Sequence, residues 1–408
     1  MNHDLTRRSF VLAACAGIAG TALVQRTAMA WSEPGATRDE VMTKAVAYLK
    51  SQQDKETGGW CISKEAPTFP AITGLVLSGM VGSGQLPKDD PAVAAAVKFI
   101  LNAQQSDGGI YIGMLPSYNT AICLAALAEV SDLPGVEDAR KRALAFLRTL
   151  QNGDGAPEAP ASPEFGQKVE KSHPFYGGVG YGKHGRPDLS NTAFFIDALH
   201  ASGVDASDAS MQRAMVFLQR VQMLERTGEM KVNEMAYAAG SRQGGFIYAT
   251  SENKDKVGSG QSFAGMIDES LSDGTTASRL RSYGSMTYAG FKSYLYAGLK
   301  KDDPRVVAAR EWIGKNYTLE ENPATGTDGL YYYYLVFAKA LAADGQATIR
   351  VIGADGTATQ RDWRKDLGEK LAALQQADGS FKVVDDRWME NNPVLITAYG
   401  LDALARTR

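Results

Sequence analysis

One short stretch of this chain collects side-chain types that move protons. It reads Tyr176-Gly177-Gly178-Val179-Gly180-Tyr181-Gly182-Lys183-His184-Gly185-Arg186-Pro187-Asp188. The glycines at 177, 178, 180 and 182 carry no side chain to hold the backbone away from a neighbour. Beside them stand His184, an imidazole that ionises near neutrality, and Asp188, a carboxylate; together they make a candidate acid–base pair. Tyr181 and Arg186 are candidate ligand contacts next to that pair. A structural role is open for the same residues: Asp188 or Ser190 can cap the helix that starts near Asn191, with Arg186 paired to Asp188.

A second stretch, Arg279-Leu280-Arg281-Ser282-Tyr283-Gly284, sets two guanidinium groups before a helix start, with Tyr283 as a third candidate catalytic group. Arg279 and Arg281 suit a diphosphate or carboxylate through bidentate contacts, or else salt bridges to Glu269 or Asp273. Aromatic residues are the third signal. Trp60, Tyr118, Tyr288 and Trp388 are candidate ligand contacts among many that fall on turns and apolar segments, Tyr294, Tyr296 and Tyr399 included. Tyrosines along a cavity wall suit either a hydrophobic chain with cationic character or stacked sugar rings. Four successive tyrosines, Tyr331 to Tyr334, cannot share one helix face, so about half are expected to face a cavity.

The elements that must position these residues repeat. Ala45, Tyr48, Leu49 and Gln53 precede Gly58-Gly59-Trp60; Ala96, Phe99, Ile100 and Gln104 precede Gly108-Gly109-Ile110. The pattern returns at Ala143 to Gln151 with Gly155, and at Ala214 to Gln222 with Gly244-Gly245-Phe246 far downstream. Ala309, Trp312, Ile313 and Tyr317 form a degenerate copy, and Leu371, Ala372, Gln376 and Gly379-Ser380-Phe381 the sixth. A period of about 45–50 residues means one supersecondary unit used over and over. Before each Gln, apolar residues recur at helical spacing with charges between them, which predicts a half-exposed helix. After each glycine turn comes a segment apolar nearly all round, such as Ala71 to Leu77 or Tyr118 to Leu127, which predicts a buried helix. Six such pairs predict a closed ring of hairpins, polar helices outside and apolar helices at the centre. The Gln amide both donates and accepts, so it is a candidate tie between successive turns. Strand patterning is weak, with Gly245 to Thr250 as one short candidate.

Gln followed by a short spacer and Gly-x-Trp or Gly-x-Phe resembles the repeat shared by squalene and hopene cyclases and protein prenyltransferase β subunits. The resemblance covers about Thr37 to the C-terminus and implies an all-α, (α/α)6 toroid over residues 37–408, with inner helices lining a central cavity. It also implies a polyprenoid or similar apolar ligand bound there, and leaves open whether that ligand is transformed in the manner of a terpene cyclase or prenyltransferase. The residues that do the family's chemistry are missing. No Asp-x-Asp-Asp acid is present, since Asp89-Asp90, Asp302-Asp303 and Asp385-Asp386 read as caps or loop pairs. No zinc triad is spaced for binding either, although Cys61, His184 and Asp188 have donor side chains; no metal or cofactor is expected. Two other functions remain open: a non-enzymatic binding or interaction ring, and a polysaccharide lyase or glycoside hydrolase on the same toroid.

The repeat is interrupted at about 157–187 and 223–282, and both insertions lead into the start of a buried helix. Insertions in such architectures map to loops on one face, often the binding face. Residues 1–30 resemble a twin-arginine signal peptide: Arg7-Arg8, an apolar stretch to Val24, and Ala28-Met29-Ala30 before the expected cleavage point. Export to the periplasm or beyond is the expectation, with Cys15 as an alternative lipid anchor. A net charge of −3 and the absence of an aromatic-interleaved basic patch argue against nucleic acid as a partner. Membrane contact is expected to be peripheral at most. Cys61 and Cys123 can pair in an oxidising compartment, though Cys123 within an apolar segment is equally natural as a buried thiol.

Overall fold

Side-chain caps start five of the six outer helices, the exception opening at Gly135. Thr37 forms a reciprocal capping box with Glu40 and opens α1 (Arg38–Ser51), which leads through a glycine turn to α2 (Pro70–Gly82). Asp90 accepts from the Ala92 amide and opens α3 (Pro91–Asn102), followed by α4 (Pro116–Ala128). Then come α5 (Val136–Thr149), α6 (Leu189–Ala201) and α7 (Ala209–Val221), the last capped by Asp208. Two antiparallel hairpins interrupt the series, β1 (Arg226–Thr227) with β2 (Met230–Lys231) and β3 (Met266–Ser270) with β4 (Thr276–Leu280). The chain continues with α8 (Gly284–Tyr296), α9 (Pro304–Lys315) and α10 (Leu330–Asp344). A third hairpin, β5 (Ile349–Ile352) with β6 (Ala358–Arg361), precedes α11 (Trp363–Leu374) and α12 (Pro393–Ala405).

The computed structural model describes residues 37–61, 67–155, 166–182, 186–252 and 261–408. The expected signal peptide, Cys15 and His184 lie outside the described residues. All described residues belong to one compact unit, Trp31–Arg408.

Even-numbered helices are buried along nearly their whole length, while odd-numbered helices bury one stripe, such as Val41, Met42, Ala45, Val46 and Leu49 of α1. Each even helix packs on the next, α2 on α4 and so on to α10 on α12, and α12 packs back on α2. The result is the all-α, (α/α)6 toroid, closed without free terminal repeats.

The Gln residues hold the ring together. Gln53 Nε2 donates to Gly58 O at 2.8 Å, ending its own turn, and to Ala92 O at 2.9 Å in the first turn of the next outer helix. Gln104, Gln151 and Gln222 repeat this on Ala139, Ser210 and Arg305. The sixth joint uses Gln375, one residue before the expected Gln376, and its amide reaches Val41 O at 2.8 Å in α1, which closes the circle. Gln376 turns instead to Ser380 and Phe381. At the fifth joint the Tyr317 hydroxyl donates to Asp366 Oδ2 at 2.7 Å in the first turn of α11. The glycine that follows each Gln is needed for space. At Gly58, with φ +81°, a Cβ would sit 2.8 Å from Ala95 O of the neighbouring outer helix.

A second recurring contact was not read from sequence. A threonine near the start of five inner helices (Thr73, Thr120, Thr192, Thr287 and Thr397) accepts the amide that follows the glycine turn, from Trp60, Ile110, Val179, Phe246 and Phe381 in that order. It thus ties each turn to the helix it feeds.

Several expectations need correction. Gly245 to Thr250 forms no strand, only a bridge between Phe246 and Gln222; the strands lie in three short hairpins. Of Tyr331 to Tyr334, only Tyr332 faces the cavity. The other three are fully buried and donate to the carbonyls of Lys382, Thr318 and Leu319. Cys61 and Cys123 are both free, and the Cys123 thiol lies 3.2 Å from Pro70 O. No described helix is long and apolar enough to cross a membrane.

Deep in the ring, four inner helices carry charge towards one another. Lys292 of α8 lies 2.5 Å from Asp197 of α6, and Lys339 of α10 lies 3.3 Å from Asp402 of α12. Arg406 adds a 3.0 Å contact to Asp402.

Candidate functional site

The amino-terminal ends of the inner helices converge on a cavity of about 340 Å³, towards the small end of the range for small-molecule sites, roughly 300–1,000 Å³. Helix residues Ile72, Tyr118, Ser190, Ser285, Tyr332 and Leu395 face it, one from each inner helix. Phe194, Met286 and Tyr399 extend these walls, and the connecting loops supply Phe69, Met114, Leu115, Tyr181, Tyr248, Phe263, Trp388 and Met389. Both interrupted connections contribute: Tyr181 comes from the first, Tyr248, Phe263 and Tyr283 from the second. Phe263 and Trp388 meet over the mouth with ring centroids 4.9 Å apart.

Polar groups in the wall are few and mostly engaged. The Tyr332 hydroxyl lies 3.0 Å from Ser190 Oγ, and those of Tyr118 and Tyr399 lie 3.4 Å apart. Asn322 Oδ1 accepts the Ser285 amide and so caps α8 from outside it. Asn119 does the same for α2 through the Ala71 amide. Carboxylates cap two other inner helices. Asp188 accepts the Asn191 amide at 2.8 Å and caps its own α6. Glu390 caps α10 from a distant loop, taking the amides of Tyr331 at 3.0 Å and Tyr332 at 2.8 Å.

Both carboxyls are buried, and both ionise late. Burial pushes Asp188 up to about 6, only partly offset by the Asn191 hydrogen bonds, Arg186 and the Tyr248 hydroxyl. Burial pushes Glu390 up to about 7 against the helix amides that favour its charge. Glu390 lines the cavity itself, whereas Asp188 is not among the lining residues and has Tyr181 and Tyr248 close by. A carboxyl that titrates near neutrality can give or take a proton at working pH. The buried Tyr283, Tyr332 and Tyr399 are held well above the ordinary phenol range by burial, so they act as neutral hydroxyls.

The sequence candidates divide. Tyr118, Tyr181, Tyr283 and Trp388 line the cavity. Asp188 stands at its edge as a helix cap, and the Arg186 guanidinium lies 5.9 Å from the Tyr248 ring centroid, outside the lining. Trp60 is a structural residue: fully buried, it donates its indole N–H to Leu49 O at 2.7 Å. Tyr288 packs against Tyr333 and Phe337, away from the cavity. Arg279 sits on β4 and donates to Ala239 O, and Arg281 is exposed, so neither guanidinium belongs to the wall. Glu390, Phe263 and Asp328 were missed, while Tyr332 and Tyr399 were noted among the aromatics without being singled out as contacts. Asp328 also lines the cavity, and its carboxylate lies 3.2 Å from Arg387 Nε. Among the described residues no cluster of three His, Cys, Asp or Glu side chains is arranged to hold a metal.

The model of the squalene-hopene cyclase C-terminal domain family matches residues 66–225. No curated protein matches the chain. The alpha-1,6-mannanase GH76A from Salegentibacter sp. HEL1_6 shares the fold at a TM-score of 0.55, with 7% identity over 91% of this chain and 100% of that one. An alpha-amylase from Clostridium perfringens follows at 0.52, with 11% identity over 92% and 100%. A variant of the type II terpene cyclase MstE from Scytonema gives 0.49, with 14% identity over 91% and 97%. At these identities the solved structures establish architecture alone. With the Gln–glycine joints seen around the ring, the chain is built as an (α/α)6 toroid whose residues 66–225 resemble the squalene-hopene cyclase C-terminal domain family.

Proposed function

We propose that this protein binds a polyprenoid or similar apolar ligand in the axial cavity. The composition of the wall carries the proposal: aliphatic, thioether and aromatic side chains dominate it, and none of its described residues is Lys or Arg. Such a surface gains by covering apolar area, at roughly 25 cal/mol per Å², and offers ring faces to any cationic character in the ligand. The squalene-hopene cyclase family match favours the same ligand class. Native mass spectrometry on gently purified protein tests it. A copurifying polyprenoid mass is expected; a protein that stays ligand-free after exposure to total lipid extract removes the reading. The intact mass from the same spectrum tests the proposed twin-arginine export, through cleavage after Ala30 or a lipid on Cys15.

A glycoside hydrolase is the second reading. Trp388 is half exposed at the mouth and can stack on a sugar, and Asp328 and Glu390 supply two carboxyls to the lining. Binding of soluble oligosaccharides in preference to lipids would move the assignment there.

A further inference from the structure

Glu390 presents a buried carboxyl to a wall that otherwise suits hydrocarbon. The Tyr331 and Tyr332 amides donate to it, one on each oxygen, and the Leu330 amide also favours its charge. A carboxylate offers about four acceptor sites, so acceptor capacity remains on a residue that lines the cavity. A purely hydrocarbon ligand would bury that capacity without partners, which is costly. A ligand hydroxyl would satisfy it, and would accept a proton in turn when the carboxyl is protonated. An anionic headgroup meets the reverse situation. No described cation lines the cavity to neutralise it, and two acidic residues do, Glu390 and an Asp328 whose carboxylate lies 3.2 Å from Arg387 Nε. The neighbouring guanidinium groups are spent elsewhere. Arg387 lies over the outer rings of Phe263 and Trp388 beside Asp328, and Arg186 lies against Tyr248.

Capping α10 is not reason enough for a carboxylate here. Asn119 and Asn322 cap α2 and α8 from outside with a neutral amide, and Asn392 caps its own α12. The ring therefore has a neutral solution to the same problem, used three times.

We propose that the cavity takes a neutral isoprenoid bearing a hydroxyl group, and that Glu390 both grips that hydroxyl and turns away the diphosphate ester of the same chain. The inference rests on the apolar-ligand reading and adds the headgroup. Around Glu390 the titratable groups are Asp385 on its own loop, Tyr331, Tyr332 and Tyr334 of α10 and Tyr399 of α12, none of them cationic. Arg387, three residues away on the same loop, is the nearby cation, and its guanidinium is held by Asp328 and the Phe263 and Trp388 rings.

The test uses the full chain, stripped of lipid, at about pH 8 so that Glu390 is mainly ionised. Binding of geranylgeraniol, geranylgeranyl diphosphate and the corresponding hydrocarbon is compared by displacement of a fluorescent lipid. The alcohol is expected to bind at least about tenfold more tightly than either of the others, one pKa unit's worth of energy being tenfold. Glu390→Gln, checked for folding by circular dichroism, is expected to narrow the gap between alcohol and diphosphate. Equal binding of alcohol and diphosphate to the wild-type protein overturns the inference while leaving the apolar-ligand reading standing, and needs no variant. A gap unchanged in folded Glu390→Gln overturns the role of Glu390. Binding of none of the three removes the apolar-ligand reading itself.

Discussion

The two ends of the inner-helix ring handle buried charge in opposite ways. At the amino-terminal end Ser190, Ser285, Tyr332 and Leu395 face the cavity; seven residues further along the same helices stand Asp197, Lys292, Lys339 and Asp402. Seven residues are two helical turns, about 10 Å. In the upper layer the two fully buried carboxyls, Glu390 and Asp188, have no cation close enough to offset burial and are pushed towards neutrality, while the half-exposed Asp328 pairs with Arg387. In the lower layer burial also pushes Asp402 up, but Arg406 and Lys339 more than offset it and its carboxyl ends below the ordinary range. Burial alone therefore does not mark a site. A buried carboxyl without a cation can still react, whereas one with a cation is committed to holding helices together.

The largest expected effect comes from breaking the lower layer. Lys292→Met leaves Asp197 buried with only Lys339, 4.0 Å away, as a cationic neighbour. Removing one partner of a buried ion pair costs about 3–5 kcal/mol, whereas replacing both with apolar residues costs far less. Denaturant unfolding should show that loss for Lys292→Met and most of it restored in Asp197→Leu/Lys292→Met. Ligand binding by the folded fraction should not change. If it does, the two layers are coupled and the contrast between them fails.

The next effect is a difference in sign with pH. Glu390 ionises near 7 in the native state and near 4.5 when free. Between those values the native chain keeps a proton that the unfolded chain releases, so its contribution is full below about 4.5 and lost as pH rises through about 7. The total is roughly 3 kcal/mol. Asp188 adds to the same slope between its ordinary 3.8 and about 6. Asp402, held low, acts oppositely: its contribution is present above the ordinary carboxylate range and lost on acidification below it. Urea midpoints measured from about pH 5 to about pH 7.5 should fall in the wild-type protein and fall less in Glu390→Gln. An identical slope in that variant would return Glu390 to the ordinary carboxylate range.

How much of this was legible follows the same division. The ring was readable because its joints are local and recur: Gln, then glycine, then a buried segment, with each Gln reaching the next outer helix. The threonine of five inner helices escaped notice because its partner amide lies across the turn, and a threonine inside an apolar run carries no signal alone. Tyr118, Tyr181, Tyr283 and Trp388 could be picked out as aromatics near helix starts, but the same rule also selected Trp60 and Tyr288, which face outer helices and core. Arg279 and Arg281 looked like anion holders because sequence does not show that β4 runs outside the ring. Glu390 was invisible for a physical reason: the amides it caps are about sixty residues away in the chain, and a lone Glu in a polar loop looks solvated.

The smallest expected effect on stability separates the rim from both layers. Trp388 and Met389 have φ of 57° and 66°, a left-handed conformation that non-glycine side chains enter at a cost of about 1–2 kcal/mol each. Trp388 is also half exposed, so little of its burial stabilises the fold. Backbone strain kept at an exposed aromatic residue over a cavity mouth points to a role in the ligand's path. Trp388→Gly should therefore leave unfolding free energy within about 1 kcal/mol of wild type, the relieved backbone offsetting the lost contacts with Phe263 and Arg387. Affinity for the apolar ligand should drop several-fold in the same variant. A large loss of stability instead would make Trp388 a structural residue like Trp60, and would take the rim out of the binding site.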